Sequence, residues 1–323
     1  MPIKFCPYLF HDINLEPASV QPCCDVHGVE VPRFPFAGGR LDMAAYVVHI
    51  GKMMERLQAR DDKLSRGCPE LRETAGDALG HVPVLFHTVS INAHRYLCNC
   101  KCVYCDLWRG KQAGYPVLPV LQSLHQQHAL HSQCSFSWGG GEPSIQRDFE
   151  EASTWICKHG WGQYIHTNCL RFSPSIANLL QLGRGVIDVS LDSGSAAIYQ
   201  KVKGVPGFDR VCENLERYMA TAADASHVRL KYIVFDENNA PSEINSFFAI
   251  CGRLGVTTVE YSLNFRELNG AGPSNATLLG AAFFQTRAKQ LGLKCNPFFI
   301  PPKWQDAIND MSRKHLSGDS QEG

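Results

Sequence analysis

From residue 84 onward the chain repeats one pattern: a short β-rich apolar run, a loop, then a helical stripe. VLFHTVSIN (84–92), QCSFSW (133–138), QYIHTN (163–168), VIDVSLD (186–192), VRLKYIVF (228–235) and TTVEYS (257–262) read as strands. Helical segments are expected within 116–130 and over 149–159, and after Pro174 with Ser173 as N-cap. Phe208, Val211, Leu215 and Met219 share a helical stripe, and Ile244, Phe247, Phe248, Cys251 and Leu254 follow the i, i+3, i+4, i+7 rule. A last helix falls near 278–291. Strict alternation predicts an α/β fold with a parallel sheet and helices outside it. An open doubly wound sheet and a partial barrel of six strand–helix units both satisfy the pattern. In either, the loops after the strands' C-terminal ends hold the site.

Residues 1–80 do not fit this alternation; they contain Cys6, Cys23, Cys24 and Cys68 and a helix expected at 43–59. They are read as a small cysteine-containing N-terminal module, followed by a core at 81–300 and a polar, frayed tail at 301–323.

With 31 basic and 31 acidic residues, no global field calls for nucleic acid or an acidic membrane surface. No apolar run approaches the roughly 18 residues that span a bilayer, and the N-terminus lacks the pattern of a signal peptide. The expectation is a cytoplasmic protein. Disulfides are rare there, so 14 cysteines need another account. Cys134, Cys157, Cys212 and Cys251 are assigned to packing.

The stretch CNCKCVYCDLWR (98–109) is different. Cys98, Cys102 and Cys105 have the spacing C-x3-C-x2-C, and Cys100 falls outside it. A zinc site usually needs four protein ligands, often as two separated C-x2-C knuckles, and no second knuckle exists. Three thiolates on one loop suit a four-iron cluster with one iron left open.

This loop, with Tyr104 before its last cysteine, resembles the signature of the radical S-adenosylmethionine (SAM) superfamily. WGGGEPS (138–144) is similar to the family's Gly-Gly-Glu motif, HTNC (166–169) to its Thr-Asn-Gly, and VSLDSG (189–194) to its Ser-x-Asp pattern. IYQKVKGVPGFDRVCENL (198–215) resembles members that carry an extra cluster. The resemblance covers about residues 84–265. It implies a partial (β/α)6 TIM-like barrel, with a [4Fe-4S] cluster on Cys98, Cys102 and Cys105 whose open iron binds SAM. Reductive cleavage of SAM would give a 5′-deoxyadenosyl radical that abstracts hydrogen from the substrate. By the same resemblance Gly140, Gly141 and Glu142 serve the SAM ammonium or support the loop. Ser190 and Asp192 meet its carboxylate or ribose, Asn168 meets the ribose or substrate, and Tyr104 lies against adenine. The bland alternatives are a tight turn at Gly140–Glu142, a strand-end cap at Asp192 and packing at Tyr104. Cys169 stands where the family usually has glycine, and is read either as a packing residue or as a hydrogen donor to a substrate radical.

The opening FCPYLFHDINLEPASVQPCCD (5–25) resembles SPASM or twitch modules, which carry auxiliary iron–sulfur clusters. Cys6, Cys23, Cys24 and Cys68 are the implied ligands, with Cys295 a distant substitute and a structural zinc site the competing reading. The module usually follows the barrel, whereas here it precedes it, and Leu71 occupies the place of a second downstream cysteine. A peptide or a small biosynthetic intermediate is the expected substrate, with oxidation, cross-linking or epimerisation as outcomes. Flavodoxin or ferredoxin is the expected electron donor. The rival readings are a non-catalytic iron–sulfur or zinc-binding protein, and an aldolase-like barrel for which Lys231 is the tempting Schiff-base lysine.

Overall fold

The computed structural model describes residues 2–22, 31–59, 68, 71–75 and 83–318. The chain forms two compact units interleaved along the sequence. One comprises residues 1–97 and 110–164, the other residues 98–109 and 165–323.

In the first unit β1 (Pro2–Phe5) pairs antiparallel with β5 (Arg72–Ala75). A turn of helix, α1 (Tyr8–His11), leads into β2 (Asp12–Glu16), and β2, β3 (Ser19–Gln21) and β4 (Phe34–Pro35) make an antiparallel ribbon. Helix α2 (Met43–Gln58) buries Tyr46, Ile50, Met53 and Leu57 at helical spacing, and the Asp42 carboxylate caps it by accepting from the Ala45 amide at 3.0 Å. Strand β6 (Phe86–Ile91) runs parallel to β2 on one side. On its other side lies β7 (Leu130–Trp138), also parallel, with α3 (Val117–Gln126) connecting the two. Helix α4 (Phe149–Lys158) follows, and the chain passes from the first unit to the second within β8 (Gly162–Thr167).

The second unit continues with α5 (Pro174–Gln181), β9 (Gly185–Ser190), α6 (Ala196–Lys203), α7 (Phe208–Thr221), β10 (Val228–Val234) and α8 (Pro241–Leu254). Then come β11 (Thr258–Leu263), α9 (Phe265–Leu268), α10 (Asn275–Gln290), β12 (Lys294–Pro297) and α11 (Pro302–Gly318). Strands β9, β10, β11 and β12 pair side by side, all parallel. Alternation on β10 sends Val228, Leu230, Tyr232 and Val234 into a fully buried layer, where Tyr232 meets Phe247 of α8 and Phe284 of α10. Arg229, Lys231 and Ile233 take the other face.

The six expected strands and the helices between them are present. Strand β2 of the N-terminal segment pairs with the first core strand from Asp12↔Thr88 to Leu15↔Ile91, an attachment that alternation did not reveal; two other expectations are corrected. Ile13, Leu15 and Val20 have at most 1% of their surface exposed, and a strand this apolar needs a sheet to bury it. Residues 302–318 are a helix and not a frayed tail, with Ile308 fully buried and Ser312 bonded to Thr286 Oγ1 at 2.7 Å. On α7 the buried stripe is Val211, Cys212, Leu215 and Tyr218, so Met219 sits one position out of phase with it. Cys134, Cys157, Cys212 and Cys251 are buried packing residues, as expected.

Candidate functional site

The cysteine stretch belongs to the second unit. Cys98, Cys102 and Cys105 are half-buried and free of disulfides, while Cys100 is buried, its amide donating to Cys98 Sγ at 3.4 Å. A side-chain hydrogen bond with Cys100, aided by the Lys203 ammonium and opposed by burial, draws the Cys102 thiol below the ordinary thiol range. Burial lifts the Cys105 thiol. Among the described residues no three His, Cys, Asp or Glu side chains are arranged to hold a single metal ion. An all-cysteine donor set on one loop fits an iron–sulfur cluster.

The loop is fastened from several sides. The Lys101 amide donates to Lys203 O at 2.8 Å and the Val103 amide to Val202 O at 3.0 Å. Arg266 donates to Val103 O at 3.0 Å and pairs with Asp106 at 2.5 Å. Tyr104 donates its hydroxyl to Asp192 Oδ2 at 2.6 Å, and its ring stands edge-on to Phe235. Lys203, 1% exposed, donates to both Tyr104 Oη at 2.9 Å and Asp192 Oδ2. Burial alone would lower the Lys203 pKa; the Asp192 carboxylate, with Cys102 and Cys100, offsets it and holds the ammonium above its ordinary value.

Asp192 lies just beyond β9 in the left-handed region, at φ 57°, which aspartate tolerates better than most residues. Its second oxygen accepts the Ile233 amide at 2.7 Å, and Asn238 donates to its backbone carbonyl at 2.9 Å. The carboxylate does not cap the next helix. It binds Tyr104, Lys203 and strand β10, and Ser195 caps α6. Ser190 is half-buried at the end of β9, opposite Lys231 in register. Asn168 donates to Asn99 Oδ1 at 2.6 Å and lies 3.9 Å from Cys98 Sγ, so the residue after β8 touches the loop's start. The structure thus brings Cys98, Cys102, Cys105, Tyr104, Asn168 and Asp192 into one contiguous network.

Gly140, Gly141 and Glu142 belong to the first unit. Both glycines have positive φ, and a Cβ on Gly141 would stand 2.4 Å from Leu97 O. The Glu142 amide donates to Leu97 O at 2.8 Å, and its buried carboxylate accepts from the Ser144 hydroxyl at 2.6 Å and amide at 3.1 Å. The motif packs tightly against residues 92–97 and caps the turn that follows.

Cys169 has no exposed surface and adopts φ 61°, a left-handed conformation that glycine takes most readily. Its amide donates to Thr167 Oγ1 and its carbonyl accepts from Asn214. Cys6 is buried, and burial pushes its thiol up to about 11, with Cys68 close enough to add to the rise. Cys23 and Cys24 lie outside the described residues. Lys231 is held between carboxylates, 2.8 Å from Glu260 and 3.9 Å from Asp188, with its ammonium over the Phe298 ring. His166 Nδ1 is 3.3 Å from the same Asp188. A lysine so paired gives the aldolase reading no nucleophile.

Three residues of the network escape sequence reasoning: Lys203, Asn238 and Arg266. Only the Lys-Gly step at 203–204, inside a stretch already quoted for its resemblance, gave a signal.

Residues 94–235 match the Radical SAM superfamily. Mycofactocin maturase MftC of Mycobacterium tuberculosis is 26% identical over 168 residues, 50% of this chain and 41% of that protein. A probable GTP 3′,8-cyclase of Saccharolobus islandicus is 25% identical over 170 residues, 51% of this chain and 53% of that protein. The chain thus spans about half the length of the curated relatives it matches. The crystal structure of Streptococcus suis SuiB bound to precursor peptide SuiA aligns with TM-score 0.52 at 13% identity, over 84% of this chain and 57% of that one. That likeness shows the fold, the α/β parallel-sheet architecture of the partial-barrel type. No helix among the described residues is long and apolar enough to cross a membrane.

Proposed function

We propose, for a chain whose residues 94–235 are a radical SAM domain, that it is an enzyme cleaving SAM reductively to initiate hydrogen abstraction from a peptide. The carrying observation is the cysteine loop, locked by Asn168, Asp192 and Lys203 in the arrangement described above. Cys98, Cys102 and Cys105 would hold the [4Fe-4S] cluster. When bound, the cluster supplies the electron that breaks the sulfonium carbon–sulfur bond.

The chain's own part is to position and to exclude water. Asn168, Ser190 and Asp192 would face the SAM ribose and carboxylate. Gly140, Gly141 and Glu142 keep the ammonium-side role implied by resemblance, and Tyr104 would meet adenine through its backbone. Cys169 serves packing. Cys6 and Cys68 are proposed as part of an auxiliary iron–sulfur site, and a flavodoxin or ferredoxin as electron donor in the cytoplasm. The peptide reading draws support from the mycofactocin maturase and from SuiB with its precursor peptide. A small-molecule substrate is the second reading, favoured by the likeness to a probable GTP cyclase.

The test is anaerobic reconstitution with SAM and dithionite, quantifying 5′-deoxyadenosine beside a Cys98/Cys102/Cys105→Ala triple variant. Product from the wild type alone is the expected result. A fully loaded wild type that neither binds SAM nor cleaves it would sink the assignment.

A further inference from the structure

The fully buried Lys203–Asp192 pair is not required to close the sheet, because β9 and β10 are already joined by their own register. What the pair reaches is the cysteine loop. Lys203 Nζ and Asp192 Oδ2 both bond the Tyr104 hydroxyl, at 2.9 and 2.6 Å, and Tyr104 stands between two of the loop's cysteines in sequence. The backbone repeats the attachment, since the carbonyls of Val202 and Lys203 accept the Val103 and Lys101 amides. Gly204 permits the approach: at φ 67° it ends α6, and a Cβ there would stand 2.6 Å from Lys101 O. One short helix end thus grips the loop by two carbonyls, one ammonium and one bare α-carbon.

We propose that Lys203 is a positioning residue for the iron–sulfur cluster, the pin of a clasp by which the end of α6 holds Cys98, Cys102 and Cys105 in ligating geometry. The inference rests on the radical SAM reading and adds to it a residue that touches neither iron nor SAM. Removing the pin leaves the three thiols present but frees Tyr104, so the cluster is held in a looser, altered frame. Partners behind metal ligands commonly change metal retention by ~10- to 100-fold.

The experiment compares reconstituted wild type with K203M, K203R, K203M/D192N and G204A. Readouts are iron per chain, the rate of iron release to EDTA, the electron paramagnetic resonance spectrum of the dithionite-reduced cluster with and without SAM, and the melting temperature of cluster-free protein. K203M leaves Asp192 buried and unpaired at a cost to folding, so the double variant, with no buried charge, carries the decision. Release at least about tenfold faster and a shifted spectrum are expected in the double variant and in G204A, with K203R returning toward wild type. A folded double variant with wild-type release and spectrum overturns the inference. Wild type that takes up no four-iron cluster overturns the radical SAM reading, and the inference with it.

Discussion

Lys231 sets the charge balance on the inner face of the second unit. The residue is 5% exposed, and its ammonium lies 2.8 Å from Glu260 and 3.9 Å from Asp188, both buried. Replacing it by methionine leaves Glu260 without its 2.8 Å partner and Asp188 with His166 alone, and breaking a buried pair in this way costs about 3 kcal/mol or more. Urea unfolding of K231M at pH 7 is the check. Burial first, and then Asp188, already raise the Glu260 pKa. A carboxyl so raised stabilises the fold in its protonated form, and that contribution is lost as pH rises through the folded pKa. Without Lys231 the rise is greater, so the stability gap between K231M and wild type should narrow as pH falls toward 5. A gap of constant size from pH 7 to 5 would sink this account. Lys231 was visible in the sequence as a strand lysine, but its partners were not, because Glu260 and Asp188 lie on other strands. The partners of Asp192 were hidden for the same reason: Tyr104 is 88 positions away, and only the folded chain shows that the two meet.

Local signals reveal an element when its capping chemistry is written in a few adjacent residues. Ser173 followed by Pro174 marked the start of α5, and Ser173 Oγ accepts the Ile176 amide at 3.2 Å. S173A removes that acceptor in a fully buried setting and should lower unfolding free energy by about 1 kcal/mol; an unchanged urea midpoint would refute the assignment. Helix α6, which carries the clasp, had no such legibility. It is eight residues long, AAIYQKVK, and buries only Tyr199, Val202 and Lys203. A stripe that includes a lysine does not register as apolar periodicity. Helix α11 was hidden by the same limit, its buried contacts resting on Ile308 and the polar Ser312. Elements whose buried faces are polar are the ones that periodicity misses, and here one of them supports the site.

At the scale of the molecule, alternation specified the parallel β/α order from residue 84 to 263, because that order is a sum of local patterns. Pairing between distant strands is not local, and so the pairing of β2 with β6 was not legible in the sequence. The cysteines at 6, 23, 24 and 68 point to a separate module, while the buried Ile13 and Leu15 seat β2 beside β6. The two views make opposite demands on a protein that starts at residue 81. A separable module would leave the remainder folded and cooperative. Removal of β2 instead bares the edge of β6, with its unpaired amides and carbonyls from Thr88 to Ile91, and uncovers apolar surface that β2 and β3 had helped to bury. The shortened protein should therefore aggregate or melt without a cooperative transition, followed by circular dichroism and size-exclusion chromatography. A monodisperse product with a sharp transition would show that residues 1–80 are dispensable to the core. That result would return the cysteines at its N-terminus to the status of an appended module, because a strand integral to a sheet is not lost without exposing the one beside it.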